Sequence, residues 1–411
     1  MATEGAGAPS GAGLLLSLIA AGEARSRAEL VTTTGLSRTT VTQHLAQLLA
    51  GGLIEEGDER RRSGGRPARL LALAPGAALV LAADIGETHA RLAVTDLTPA
   101  VLAACTIPID LGAGPIPVLA LLAARFRSLL AELGQENERV LGVGLGLPAP
   151  VDHTGGRVVG PSVMPGWDDF DICDCLGAHL GAPVLVENDV NLLALAERAG
   201  SWSDTEQLLF VKAGTGIGSG IIADGRLYRG AQGASGDIGH IQIGAPDGPL
   251  CRCDKRSCLE AHAGGWAIAR DLRAQGFAAE TARDVVALLK AGEPAAEAAL
   301  RRAGRVLGEV IASTVSILNP SAIVIGGTLA EAGETLLSGI RAEIHARSLP
   351  LAIRHLRILR AETGREAGLL GAARLVIADR LSPRHADATI AAHARPAAAL
   401  AATAPKRLHI V

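Results

Sequence analysis

Apolar residues recur at helical spacing over the first fifty positions, then give way to short unbroken runs. From Gly11 onward, Leu14, Leu15, Leu18 and Ile19 fall on one face of a helix. Ser26 and Glu29 form a capping box that opens a second helix, which ends near Thr34-Gly35. Ser37 caps a third helix, Arg38 to Ala50, whose apolar face is Val41, Leu45, Leu48 and Leu49. Two strand-like stretches, Gly51 to Glu56 and Leu70 to Leu73, flank an arginine-rich turn. Two helices joined at a tight glycine turn, followed by a two-stranded wing, predict a winged helix-turn-helix over residues 11–75.

Past the boundary at Pro75-Gly76 the pattern changes. Apolar runs at Ala77 to Ala83, Leu92 to Asp96, Val140 to Leu147, Val184 to Val186, Leu208 to Ala213, Ile221-Ile222 and Ala322 to Ile325 read as buried strands. Helical stretches alternate with them: Val118 to Leu133, Leu192 to Ala199, Ala261 to Leu289 and Ala295 to Leu318. This predicts an α/β domain over residues 78–380. The Ala-rich stretch Ala295 to Leu318 is a candidate subunit interface. Residues 1–10 and the tail 381–411 hold no sustained period and are expected to be disordered.

The net charge of -3 over 411 residues gives no general pull toward nucleic acid, so a DNA-binding expectation rests on local patches. The third helix supplies one, with Arg38, Thr39, Thr40, Gln43 and His44 on its polar face. The wing supplies another, with Arg62, Arg66 and Arg69 on an extended Gly-Arg-Pro segment suited to a minor groove. Aromatic residues make up 2% of the chain, too few for base-stacking RNA modules. The apolar run from Leu14 to Ala21 has no preceding Lys or Arg and is too short to span a bilayer, so neither a signal peptide nor a membrane anchor is expected. Six cysteines in so long a chain do not make a disulfide framework, and a reduced cytoplasm is expected.

Four of the chain's donors cluster instead at metal-ligand spacing: His240, Cys251, Cys253 and Cys258. Three thiolates and an imidazole suit tetrahedral zinc or another thiophilic metal. Four protein ligands fill the shell, so the metal is expected to be structural. Asp237 and Glu260 flank the cluster. A second C-x-C, Cys173 and Cys175, has no partner ligand nearby and reads as the start of a helix.

The stretch Asp237-Ile238-Gly239-His240, followed by Cys251 to Glu260, resembles the zinc loop of the ROK family (repressors, open reading frames and sugar kinases). The family pattern there is E-x-G-H, then C-x-C-G-x-x-G-C-x-E; Asp237, Asp254 and Ser257 depart from it. Other stretches extend the resemblance over roughly residues 12–378. Asp84, Gly86 and Thr88 resemble the first phosphate loop, D-x-G-G-T-K, with Glu87 and His89 in place of glycine and lysine. Pro148 to Asp152 resembles P-G-P-V-D with Ala149 for glycine, and Pro165-Gly166-Trp167 resembles a loop over the sugar. Asn188-Asp189 resembles the start of N-D-A-N. Gly214, Thr215, Gly216 and Gly218 resemble the second phosphate loop, and Gly326-Gly327 the adenosine-side turn.

The resemblance implies a winged helix followed by a two-lobed actin-like (ribonuclease H-like ATPase) sugar-kinase fold. It implies sugar contacts from Asn188, Asp189, Asp237, His240 and Glu260. Two functions are compatible with it. One is a transcriptional regulator, most often a repressor in this family, that binds an operator as a homodimer or dimer of dimers and senses a sugar. The other is an ATP-dependent sugar kinase, using Mg-ATP with Asp189 as general base, that also carries a DNA-binding domain. Asp189 serves either reading, as base or as hydrogen-bond acceptor, and can cap its helix as well. Glu87 opposes catalysis, because a carboxylate repels a polyphosphate where a glycine would admit it.

Overall fold

The structure is a computed structural model that describes residues 11–61, 68–135, 139–160, 164–244 and 246–393. Three helices open the chain: α1 (Gly11–Ala21), α2 (Arg27–Thr34) and α3 (Arg38–Ala50). The Ser26–Glu29 capping box starts α2, and Gly35, at φ 69°, ends it in the left-handed region. The Ser37 hydroxyl accepts from Thr40 N–H and starts α3. Val41, Leu45 and Leu48 are buried, while Leu49 is half-buried. Strands β1 (Ile54–Arg61) and β2 (Ala68–Leu73) pair antiparallel, Ile54 opposite Leu73 and Arg61 opposite Ala68. The expected winged helix is therefore present. Arg62 and Arg66 lie outside the described residues.

The described chain divides into two compact units. The first takes the residues up to Gly146, Asp171–Val186 and those from Ala372. Beyond the winged helix it contains β3 (Leu79–Ile85), β4 (His89–Thr95), β5 (Val101–Pro108), α4 (Pro115–Glu132) and β6 (Val140–Leu147). Short strands β7 (Val151–Asp152) and β8 (Arg157–Val158) belong to the second unit. Helix α5 (Ile172–Leu180) returns to the first, and β9 (Val184–Asn188) leads out of it. The sheet order is β5-β4-β3-β6-β9, with β3 antiparallel to β4 and parallel to β6. Cys173 and Cys175 sit at the start of α5, as expected.

The second unit repeats the plan: α6 (Asp189–Ala199), β10 (Leu208–Ala213), β11 (Ile217–Ala223), β12 (Arg226–Tyr228), then α7 (Leu259–Ala263), α8 (Gly265–Ala274), α9 (Ala282–Lys290) and α10 (Pro294–Leu318). It continues with β13 (Ala322–Gly326), α11 (Glu334–Arg347), α12 (Pro350–Ile353) and β14 (Arg357–Arg360). Its sheet order is β12-β11-β10-β13-β14. Alternation along β10 sends Leu208 and Phe210 to a small core with α6, and Leu209 and Val211 to a large core with α7 to α11. Helix α13 (Ala367–Arg380) then leads back to the first unit, and α14 (Ala386–His393) closes the described chain.

Several boundaries differ from the sequence reading, for physical reasons. The stretch from Ala261 to Leu289 is broken at Gly264, where a Cβ would stand 2.6 Å from the Glu260 carbonyl oxygen, and at Gly276, whose φ is 92°. Gly218, expected in a loop, lies within β11. The segment from Glu334 to Arg360, left unassigned by periodicity, forms α11, α12 and β14.

The expected disordered tail begins instead with α14, which packs on α1: a Cβ on Gly13 would strike Asp387. This explains why α1 is apolar and buried on almost every side rather than on one stripe. Residues 394–411 and 1–10 lie outside the described residues.

Glycine at 220 lets α6 pack directly on β11, since a Cβ there would stand 2.7 Å from the Ala194 methyl and 2.9 Å from the Val190 carbonyl oxygen. Gly220→Val should therefore overpack this contact and cost about 1–3 kcal/mol. The check is a lowered thermal midpoint with helical content retained.

Candidate functional site

The loop from Gly233 to Glu260 is laid against the edge of β11. Gly236 makes this possible: at φ 93° its carbonyl accepts from Ser219 N–H at 2.9 Å, and a Cβ would collide with Ser219 O. A single 3-10 turn, Ile238–His240, then presents the His240 ring.

The ligand atoms of His240, Cys251, Cys253 and Cys258 all lie within 4.8 Å of one another. His240 Nδ1 is 3.7 Å from Cys251 Sγ, and Cys253 Sγ is 3.6 Å from Cys258 Sγ. Donors at about 2.0–2.3 Å from one tetrahedral ion stand at such separations. Asp254 and Ser257 take the left-handed conformation, at φ 65° and 58°, so the turns keep a glycine-like path without glycine. Burial, then the neighbouring thiols of Cys253 and Cys251, push the Cys258 thiol up to about 12, and burial raises Cys251 as well. Three crowded thiols fit poorly as a core but well as thiolates around a dication. The donor set fits zinc, held by these four side chains in a structural role.

Glu260 is buried beside this cluster. Its Oε2 accepts from Ile217 N–H at 2.9 Å and its Oε1 from Trp266 Nε1–H at 3.0 Å. Arg252, between two of the metal-ligating cysteines, approaches Oε1 at 3.5 Å and lies 5.5 Å from the Trp266 ring centroid. Asp237 is exposed, yet neighbouring protein desolvates its carboxyl and raises it above the usual carboxylate range; His240 lowers it and Glu260 raises it further. Asp237, His240 and Glu260 thus share one neighbourhood.

The Asn188-Asp189 turn resolves differently from expectation. Asn188, not Asp189, caps α6: its side-chain oxygen accepts from Val190 N–H at 3.0 Å, and its amide donates to Ala149 O at 2.9 Å. The Asp189 carboxylate is left for another partner, and the ammonium of Lys212 donates to its Oδ2. Asp189 is 13% exposed and Lys212 30%. Lys212 was not a candidate from sequence, being 23 positions away on a strand.

Glu187 was missed too. Its buried carboxylate accepts from Arg229 Nε–H at 2.6 Å, Asn191 Nδ2–H at 2.8 Å and Asn188 N–H at 3.0 Å, and lies 3.7 Å from His153 Nδ1. It fixes the base of the Asn188-Asp189 turn.

Gly214, Thr215 and Gly216 form the turn between β10 and β11, and Gly326-Gly327 follow β13, the parallel neighbour of β10. Both turns lie at the carboxyl ends of parallel strands, where open α/β sheets place their ligands. Asp84 lies near the end of β3, opposite Arg91, and Gly86 and Thr88 form the β3–β4 turn of the first unit, which Gly86 N–H closes onto His89 O at 2.9 Å.

The ROK family model matches residues 80–379. The chain belongs to the ROK family.

A crystal structure of a ROK family transcriptional regulator, a homologue of the E. coli MLC protein, is similar at a TM-score of 0.78 and 27% identity, covering 92% of this chain and 98% of that one. The xylose repressor of Bacillus spizizenii is 27% identical over 365 residues, 89% of this chain and 94% of that protein. The ROK hexokinase from Thermus thermophilus is 34% identical at a TM-score of 0.60, covering 72% of this chain and 96% of that one. The family thus contains both regulators and sugar kinases.

Ahead of the ROK domain, α3 exposes Arg38, Thr39 and Gln43 together with Thr42, which the sequence reading did not single out. Thr40 and His44 are turned toward the chain. The Thr40 hydroxyl is 2.8 Å from Ser37 Oγ, and the His44 ring lies over Gly11. Arg69 is exposed on the wing and approaches Glu56 at 3.5 Å. No helix among the described residues is long and apolar enough to cross a membrane.

Purified chain should carry about one zinc ion, and Cys258→Ser should remove it and lower the thermal midpoint. Metal analysis and a melting curve check both. Glu187→Ala leaves buried Asn191 and half-buried Arg229 without their acceptor, and should cost about 1–3 kcal/mol by denaturant titration.

Proposed function

We propose that this ROK protein is a DNA-binding transcriptional regulator, of repressor type, whose kinase-like domain senses a sugar or sugar derivative. The observation that carries the reading is the winged helix joined to the ROK domain, with Arg38, Thr39, Thr42 and Gln43 exposed along α3. A free recognition-helix face of this kind suits the major groove, and the wing arginine Arg69 suits a phosphate contact. Similarity to a regulator over 92% of the chain supports it, since a sugar kinase is matched over only 72%. The partners of this reading are an operator duplex and a sugar effector. It places the protein in the cytoplasm as a homodimer or dimer of dimers spanning half-sites about 34 Å apart or a multiple of that.

In this reading Asp189, Asp237, His240 and Glu260 surround the sugar, with Asn188 holding the turn that presents Asp189. Zinc holds the His240 side of the site and leaves chemistry to the carboxylates. The effector acts by binding one shape of the chain more tightly than another, and DNA by the reverse preference.

A second reading, an ATP-dependent sugar kinase, is favoured by one observation: Asp189 is not spent on capping and would take a proton from a sugar hydroxyl once Lys212 gives it up. Glu87 and His89 in the first phosphate loop oppose it. Sugar-dependent ADP release that is lost in Asp189→Ala would establish the kinase and displace the sensor.

Arg38→Ala should weaken operator binding by about 1–3 kcal/mol, checked by a gel-shift titration at fixed salt. Glu260→Gln should leave operator affinity in place and abolish release by sugar. A variant released as readily as the wild type would remove Glu260 from the sensor site.

A further inference from the structure

Three segments of the second unit converge on the Glu187 carboxylate, whose side chain is only 3% exposed. From its own strand and helix, the Asn188 N–H and the Asn191 amide donate to Oε1. From the far side, the Arg229 guanidinium donates to Oε2 at 2.6 Å, and His153 Nδ1 lies 3.7 Å from the same oxygen. The segment that carries His153 is tied in a second time, because Ala149 O accepts the Asn188 amide.

Arg229 is also the root of a closed loop. Its carbonyl accepts from Ser235 N–H at 3.1 Å, so residues 229–235 fold back on themselves. Gly233, at φ 85°, presses this loop onto the His153 segment: a Cβ there would stand 2.4 Å from the Val151 carbonyl oxygen. Just beyond the loop, the Gly236 carbonyl accepts from both the N–H and the hydroxyl of Ser219, at 2.9 and 2.8 Å. Asp237 and His240 follow directly. The turn that presents Asp189 and the loop that leads to Asp237 therefore meet at one ion pair, between residues 42 positions apart.

Resting on the reading that Asp189, Asp237 and His240 surround the sugar, we propose that Arg229 is a positioning residue for the effector site. It acts through Glu187 rather than on the sugar. Its guanidinium holds Glu187, and Glu187 holds the Asn188 N–H and α6. Its backbone sets where the loop to Asp237 departs. The spacing between the Asp189 and Asp237 carboxylates is thus fixed by the pair. A sugar that bridges them samples that spacing, and in a well-oriented site a misplacement of about 1 Å is enough to cost about 100-fold.

The test uses full-length, zinc-loaded protein. Binding of a panel of aldoses and N-acetylhexosamines is measured by calorimetry, with operator affinity, zinc content and thermal midpoint followed in each variant. Arg229→Met should weaken the best-binding sugar at least tenfold, with operator affinity and zinc content unchanged. Arg229→Lys keeps the charge but not the side-on Nε donor, and should recover part of the loss. Glu187→Gln should weaken the same sugar. Combined with Arg229→Met it should be no weaker than the worse single variant, because the two residues act as one unit.

A lowered midpoint with sugar affinity unchanged would make the pair structural only and overturn the proposal, leaving the sensor reading standing. Losses that add in the double variant also overturn it, since Arg229 would then act on the sugar independently of Glu187. A wild-type protein that binds no sugar of the panel would remove the sensor reading itself, and the proposal with it. If Arg229→Met fails to fold, Arg229→Lys and Glu187→Gln, singly and together, still decide.

Discussion

The second unit depends on one buried carboxylate. Glu260 stands at the start of α7 and accepts from Ile217 N–H at the head of β11 and from the Trp266 indole at the head of α8. Arg252 brings the metal loop to the same oxygen that Trp266 uses. The Ile217 N–H and the Trp266 indole would be left without an acceptor in its absence, at about 1–3 kcal/mol apiece. The close fit extends to Gly216, where a Cβ would meet Glu260 Oε2 at 2.4 Å. A carboxylate so placed couples three things usually treated separately: the metal loop, the β10–β11 turn and the acceptor expected to face a sugar.

How much of this was legible in the sequence depended on whether the signal was local. The metal ligands were legible, because three cysteines and a histidine rarely gather at such short spacing except to bind a metal. So were the starts of α2 and α3 and the end of α2, since Ser26, Gly35 and Ser37 act within one turn of where they stand. The partner of Asp189 was not. Nothing near Asp189 announces a lysine on a strand 23 residues later, and capping could be assigned to either of two adjacent residues able to perform it. The all-round burial of α1 was likewise hidden, because the covering helix α14 is drawn from the other end of the chain, from an Ala-rich segment of weak periodicity. Glu187 looked like one more residue of a strand end, and only its convergence with Arg229, Asn191 and His153 shows what it holds.

The regulator and kinase readings share a backbone, so charge has to separate them. A phosphoryl-transfer site needs its first phosphate loop open to a polyphosphate, and Glu87 there presents a negative charge on an exposed side chain. It also needs a carboxylate free to accept a proton, whereas Asp189 is already paired with an ammonium. Neither feature damages a binding site for a single ligand. The same two residues that weaken the case for turnover therefore leave recognition intact.

Recognition alone does not make a switch. To move a two-state equilibrium from 1:99 to 99:1, a ligand must favour one state by about 5.5 kcal/mol. Hydrogen bonds to charged groups contribute about 1.5–3 kcal/mol each, so two or three of them must exist in one shape and be missing in the other. Glu260 is a poor source of that difference, being tied to backbone and indole within its own unit. Asp189 with Lys212 is a better one, because an ion pair at a turn can exchange partners without unfolding anything. The chain also runs on from this turn toward the elements that pack on the N-terminal helices. Helix α6 begins at Asp189, and α13 packs so tightly on it that a Cβ at Gly371 would meet the Leu192 carbonyl oxygen at 2.0 Å. From there α13 runs into the first unit, and α14 lies against α1 of the winged helix. The close fit at Gly371 means that a shift of α6 presses first on the α13 backbone within the second unit.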